Sequence, residues 1–119
     1  DNAAYFRFLD AARAAGIRTP ILPGLMPVAS IAQLDRSLAF SRATAPAALR
    51  SALSSAPHPE AARAAGIQWL IGQIDGLIAN GAPGIHLYIL NQAKTILDPR
   101  LAECLARWRR SPNPQGETQ

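Results

Sequence analysis

The segment Pro20-Ile21-Leu22-Pro23-Gly24-Leu25-Met26-Pro27-Val28 constrains this chain more than any other. It reads as a short buried strand at residues 20 to 23, halted by a Pro-Gly turn that opens a loop. Proline suits the first residue of a strand because it cannot donate a ladder bond in the middle of one. About sixty residues later stands a second apolar run ending in polar side chains, Gly84-Ile85-His86-Leu87-Tyr88-Ile89-Leu90-Asn91, with a strand expected over 85 to 90. A long amphipathic helix lies between them. Strand, loop, helix, strand is the grammar of a β/α barrel, whose chemistry sits at the C-terminal ends of the strands.

The helices have local start and stop signals. Asp1 can cap a helix over residues 2 to 15, and Gly16 can end it. Ser30 can cap a second helix through Phe40. A short helix is expected over 46 to 53. Pro59 fits the first turn of the longest helix, residues 59 to 80, which carries Ile67, Leu70, Ile71, Ile74, Leu77 and Ile78 as an apolar stripe and stops at Gly81. A last helix is expected over 98 to 109, with Pro99 in its first turn. The order is alternating α/β. Ala-Ala-Arg-Ala-Ala-Gly-Ile occurs at 11 to 17 and at 61 to 67. One copy ends a helix and the other lies inside one, so they do not mark a structural repeat.

At 119 residues the chain can hold one small core but not a complete eight-stranded barrel, which needs roughly 250 residues. The first residue is Asp1, so a fragment or a processed piece is expected. The division is a domain at 1 to 110 and a polar tail at 111 to 119. Net charge is +4, but the arginines are scattered and only Arg107, Arg109 and Arg110 cluster. With no interleaved aromatic platform, nucleic-acid binding is not expected. The single cysteine, Cys104, excludes an internal disulfide and reads as a small core residue. No membrane span or signal peptide is legible, and a cytoplasmic location is the default.

Residue chemistry excludes more than it assigns. There is no Gly-x-Ser-x-Gly elbow, no glycine-rich phosphate loop, no metal-ligand spacing around His58 or His86, and no carboxylate pair. What remains is a set of polar groups beyond the strand ends: Gln33, Tyr88, Asn91 and Gln92. An amide can pair with a heterocycle edge. On residue chemistry alone, Gln33 reads rather as a solvent-facing helix residue, Tyr88 as interior packing, and His86 as a hydrogen-bonded core histidine. The chain so read is half of a small-molecule-binding α/β domain.

Three motifs carry a resemblance: Tyr5-Phe6-Arg7-Phe8 with Ala15-Gly16-Ile17, then the segment 20 to 28, then the segment 84 to 91. In order and spacing over about residues 1 to 92 the chain resembles the C-terminal half of methylenetetrahydrofolate reductase. The resemblance implies the C-terminal portion of a (β/α)8 TIM barrel, its last two strands with the surrounding helices. It implies a flavoprotein of one-carbon metabolism and methionine biosynthesis. Such an enzyme uses FAD, with NADH or NADPH as reductant, to convert 5,10-methylenetetrahydrofolate to the 5-methyl product. Gln33 matches a folate-contacting glutamine. Tyr88, Leu90 and Asn91 match residues near flavin and folate. Gln92 stands where the family has an arginine suited to a folate carboxylate, and Ser37 stands where a ligand-stacking aromatic is found, for which Leu38 or Phe40 could substitute. The acid catalyst and most FAD contacts fall upstream of Asp1, so the chain alone is expected to be inactive. The implied partners are the folate substrate, the N-terminal half of the barrel and a further copy in a homo-oligomer. A diverged barrel half acting as a non-catalytic binding or interaction module is the alternative.

Overall fold

Most helices begin at a residue whose side chain accepts one of the first free N–H groups. The computed structural model describes residues 1–90 and 93–110. Helix α1 spans Asn2–Ala14, and the Asp1 carboxylate accepts from Ala3 N at 2.8 Å. Helix α2 spans Ile31–Phe40, capped by Ser30 Oγ, which accepts from Gln33 N at 3.2 Å. Helix α3 spans Ala47–Ser54 behind Pro46, with no side-chain cap. Helix α4 spans Pro59–Ala79, and its cap is His58, whose Nδ1 accepts from Ala61 N at 3.2 Å. A four-residue helix α5, Ala93–Ile96, was not expected from the sequence. Helix α6, Pro99–Arg110, starts where Asp98 Oδ1 accepts from Arg100 N at 3.0 Å.

Helix α1 and helix α4 end alike. Gly16 (φ 84°) and Gly81 (φ 76°) take the left-handed position. Beyond them Ile17 N donates to Ala12 O and Ala82 N to Leu77 O, each at 3.0 Å. These bonds satisfy helical carbonyls that would otherwise lack partners, and glycine reaches that φ without steric cost.

The strands are shorter than expected and one of them is displaced. Strand β1 is Gly24–Leu25 and strand β2 is His86–Leu87, paired in parallel with Gly24 opposite His86 and Leu25 opposite Leu87. Residues 20 to 23 do not form the strand. Pro20 and Pro23 have no N–H to give to a ladder, and the Ile21 carbonyl accepts instead from the Tyr5 hydroxyl at 2.9 Å. Pairing begins only at the Pro23 carbonyl, which accepts from His86 N at 2.9 Å, and it ends with Tyr88 N donating to Leu25 O at 2.8 Å. Beyond that, Pro27 removes a donor on one side. On the other, Leu90 turns the chain out of extended geometry (φ 39°).

Helix α4 is the centre of the packing, and it is buried on two sides rather than along one stripe. Ile67, Leu70, Ile71, Ile74 and Leu77 join Leu25, Leu101 and Cys104 in one cluster, against which Tyr5 and Phe6 pack, their own two rings edge to face. Ala62 joins Leu34, Leu49 and Leu53 in a second, with Trp69 at its margin. Cys104 is fully buried, as its helical spacing implies. The chain is therefore mostly helical with two short parallel strands, as in a piece of an α/β domain. The polar-tail assignment at 111 to 119 lies outside the described residues.

Candidate functional site

A cavity of about 1260 Å³ opens beyond the C-terminal ends of β1 and β2. Its walls come from the loop after β1, the inner side of α2, the connection into α3, part of α4, and the segment from Tyr88 into α5. Gln33, Ser37, Tyr88 and Leu90 all border it. Residues from about 33 to 90 therefore meet at one place. The parallel strand pair brings the two loops together there, because parallel strands send their C-terminal ends to the same side.

Gln33 is half-buried and its amide is engaged at both ends. Oε1 accepts from Ala29 N at 2.8 Å, and Nε2 donates to Pro27 O at 3.0 Å. With Ser30 Oγ on Gln33 N this forms a variant of the reciprocal capping arrangement, in which the glutamine reaches back past the cap to the loop. Gln33 thus fixes the Pro27–Ala29 loop against α2. One amide hydrogen and one oxygen lone pair are left over. It is not merely a solvent-facing helix residue.

Ser37 stands one turn further along α2. Its Oγ lies 2.9 Å from Gln33 O and 3.7 Å from Met26 Sδ. Phe40, one turn beyond Ser37, also lines the cavity and is 93% exposed.

Tyr88 and His86 differ from their interior readings. Tyr88 is 50% exposed, its ring tilted against the His86 imidazole with centroids 4.5 Å apart. The ring lies close over β1, where a Cβ on Gly24 would stand 2.7 Å from Tyr88 Cε2. His86 is exposed, not a core histidine, and it makes no side-chain hydrogen bond among the described residues. The reason is that a sheet of two short strands offers no further layer to cover that face. Leu90 is 68% exposed and in the left-handed region, which costs a non-glycine residue about 1 kcal/mol or more and tends to occur where function requires it. Asn91 and Gln92 lie outside the described residues.

The charges at the cavity have one dominant sign. Arg36, Arg63 and Lys94 line it, against one carboxylate, Asp1. Sequence reading did not single out these cations. Arginines recur throughout the chain, and nothing local marks the ones that converge. Among the described residues no group of three or more His, Cys, Asp or Glu side chains could hold a metal ion.

Comparison with known proteins agrees with the motif resemblance. Residues 1–99 match the family model for methylenetetrahydrofolate reductase. The chain is 32% identical over 98 residues to methylenetetrahydrofolate reductase (NADH) 1 of Arabidopsis thaliana, an alignment covering 82% of this chain and 17% of the relative. It is 30% identical over 105 residues to a probable NADPH-dependent counterpart in Caenorhabditis elegans, covering 87% and 16%. It is 27% identical over 95 residues to the 5,10-methylenetetrahydrofolate reductase of Pectobacterium carotovorum subsp. carotovorum, covering 79% and 32%. The chain thus spans about a sixth of the plant and nematode relatives and about a third of the bacterial one.

Proposed function

The chain belongs to the methylenetetrahydrofolate reductase family, and from that premise we propose that it forms the folate side of a flavin-dependent reductase. The reaction is reduction of 5,10-methylenetetrahydrofolate to 5-methyltetrahydrofolate at the expense of NADH or NADPH. In this reading β1 and β2 are the last two strands of a β/α barrel, and the rest of the barrel is other polypeptide. Leu22 and Ile89, both exposed here, would be covered by it. A cytoplasmic setting and a homo-oligomer are part of the same proposal. No helix among the described residues is long and apolar enough to cross a membrane.

The observation that carries the reading is the convergence of Gln33, Tyr88 and Leu90 on one cavity. The amide hydrogen and lone pair that Gln33 keeps free suit the paired donor and acceptor of a pterin edge. Phe40 offers the aromatic surface that Ser37 lacks, from the same face of α2. The fit to FAD is partial. Tyr88 and Leu90 give a flat ring an apolar surface, whereas no glycine-rich phosphate cradle stands among the described residues. FAD, when bound, supplies the hydride chemistry. The chain's own residues bind and orient the folate beside it. The acid catalyst belongs to the remaining polypeptide.

The replacement of the family's arginine by Gln92, and of its aromatic by Ser37, favours a second reading, a diverged barrel half that binds without catalysis. One experiment separates the two. The chain is co-expressed with the N-terminal half of a related reductase, and the purified complex is assayed for bound flavin and for NAD(P)H-driven turnover of methylenetetrahydrofolate. Flavin with turnover is the expected result. Flavin without turnover supports the second reading. A complex that holds no flavin rejects the proposal.

A further inference from the structure

Three cationic side chains line the cavity, and they are not equivalent. Arg63 is already engaged, with its guanidinium 3.3 Å from Glu60. Arg36 has no ion-pair partner among the described residues. Its neighbour Asp35 is taken by Arg50 at 2.8 Å. Lys94, the only lysine of the chain, likewise has no ion-pair or hydrogen-bond partner among the described residues. The one cavity carboxylate, Asp1, is occupied in capping α1 and stands 4.0 Å from Arg7. Among the described residues, therefore, two cations line the cavity with no carboxylate to compensate their charge.

The polar groups are unevenly distributed. The amide of Gln33 sits with Leu25, Met26, Val28 and Leu34, a mainly apolar environment. Lys94 and Arg36 bring charge from α5 and α2. A ligand matching this distribution has a flat, weakly polar body and an anionic end. Gln92, two residues before Lys94, carries no charge of its own.

We propose that Lys94, assisted by Arg36, binds the carboxylate end of the cavity's ligand and takes over the charge that Gln92 does not supply. The proposal rests on the folate reading of the cavity and assigns the residues that hold the glutamyl carboxylates. Lysine acts there as a point charge without the two-pronged geometry of arginine, so it tolerates movement of the ligand's end. Because the lysine is exposed, the contact is weakened by salt.

The test uses the full-length gene product, in wild-type, Lys94→Gln, Lys94→Arg and Arg36→Gln forms. Two probes are titrated at low and high ionic strength: 5-methyltetrahydrofolate and the corresponding methyltetrahydropteroate, which lacks the glutamate. Lys94→Gln is expected to weaken the glutamate-bearing probe about five- to tenfold at low salt and to leave the pteroate unchanged. Lys94→Arg should restore most of the affinity, and Arg36→Gln should show the same selectivity to a smaller degree. An unchanged thermal midpoint shows that the fold is intact, as expected for exposed side chains. Equal losses for both probes, or no loss for the glutamate-bearing one, overturn the assignment while the folate reading stands. If the wild-type protein binds neither probe, the folate reading falls and this assignment falls with it.

Discussion

The Val28 carbonyl oxygen occupies the space that a side chain on Gly66 would need. A Cβ built on Gly66 overlaps that oxygen and crowds the Val28 carbonyl carbon at 2.9 Å. The loop after β1 therefore rests directly on the backbone of α4. This contact sets the depth of the cavity wall formed by Val28 and Ala29.

Gly66→Ala should push the loop off the helix. We expect a loss of about 1–3 kcal/mol, despite the gain in helix propensity. Gly72 lies in the same helix with open space around its α-carbon, so Gly72→Ala should stabilise by about 0.5–1 kcal/mol. Urea unfolding of the two variants checks this. Similar midpoints for both would contradict the close approach.

His58 should behave as a helix cap. Its Nδ1 can accept from Ala61 N only while that nitrogen carries no proton. His58→Ala should cost about 1 kcal/mol, and His58→Asn should restore most of it. Thermal melting at neutral pH provides the comparison.

Gln33→Leu removes both bonds that hold the Pro27–Ala29 loop. The loss should be about 1–3 kcal/mol, with faster proteolysis within residues 26 to 30. Gln33→Glu keeps the acceptor for Ala29 N but loses the donor to Pro27 O, so it should fall between wild type and Gln33→Leu. Limited proteolysis with mass mapping of the fragments distinguishes the three.

Asp98 gives the start of α6 a pH dependence. The side-chain hydrogen bonds from Arg100 hold its carboxyl below the usual carboxylate range, against the opposing effect of burial. A depressed value means that the stabilisation is complete above the ordinary carboxylate pKa and is lost as pH falls through the depressed one. Asp98→Asn should therefore flatten the acid side of the stability–pH curve. A curve that matches wild type there would show that Asp98 contributes nothing.

Cys104 should resist thiol reagents. Burial, and after it the nearby Asp75 carboxylate, pushes its thiol pKa upward, and the residue is fully buried. Labelling with a disulfide reagent at pH 8 should be slow in the native protein and fast in urea. Rapid native labelling would mean that α6 detaches from α4.

The sequence determined what depends on near neighbours. The caps at Asp1 and Ser30, the proline in the first turn of α4, and the stops at Gly16 and Gly81 act within a few residues. The helix boundaries were legible to within a residue or two for that reason. The strands were less so, because their extent depends on which carbonyls and N–H groups find partners across the molecule. Tyr5, sixteen residues away, takes the Ile21 carbonyl. The convergence of Arg36 and Lys94 on one cavity likewise has no local signal.

The repeated heptapeptide divides the two kinds of information. Ala-Ala-Arg-Ala-Ala-Gly-Ile is the same string at 11 to 17 and at 61 to 67. At Gly16 the chain leaves the helix with positive φ, and at Gly66 it continues as helix beneath the Val28 carbonyl. The string itself permits both outcomes, since glycine allows a left-handed turn and a close backbone approach alike. The residues C-terminal to each copy, a proline-bounded segment in one case and a long apolar helix in the other, selected the conformation. Only the tertiary packing of the β1 loop on α4 decided that position 66 has no room for a side chain.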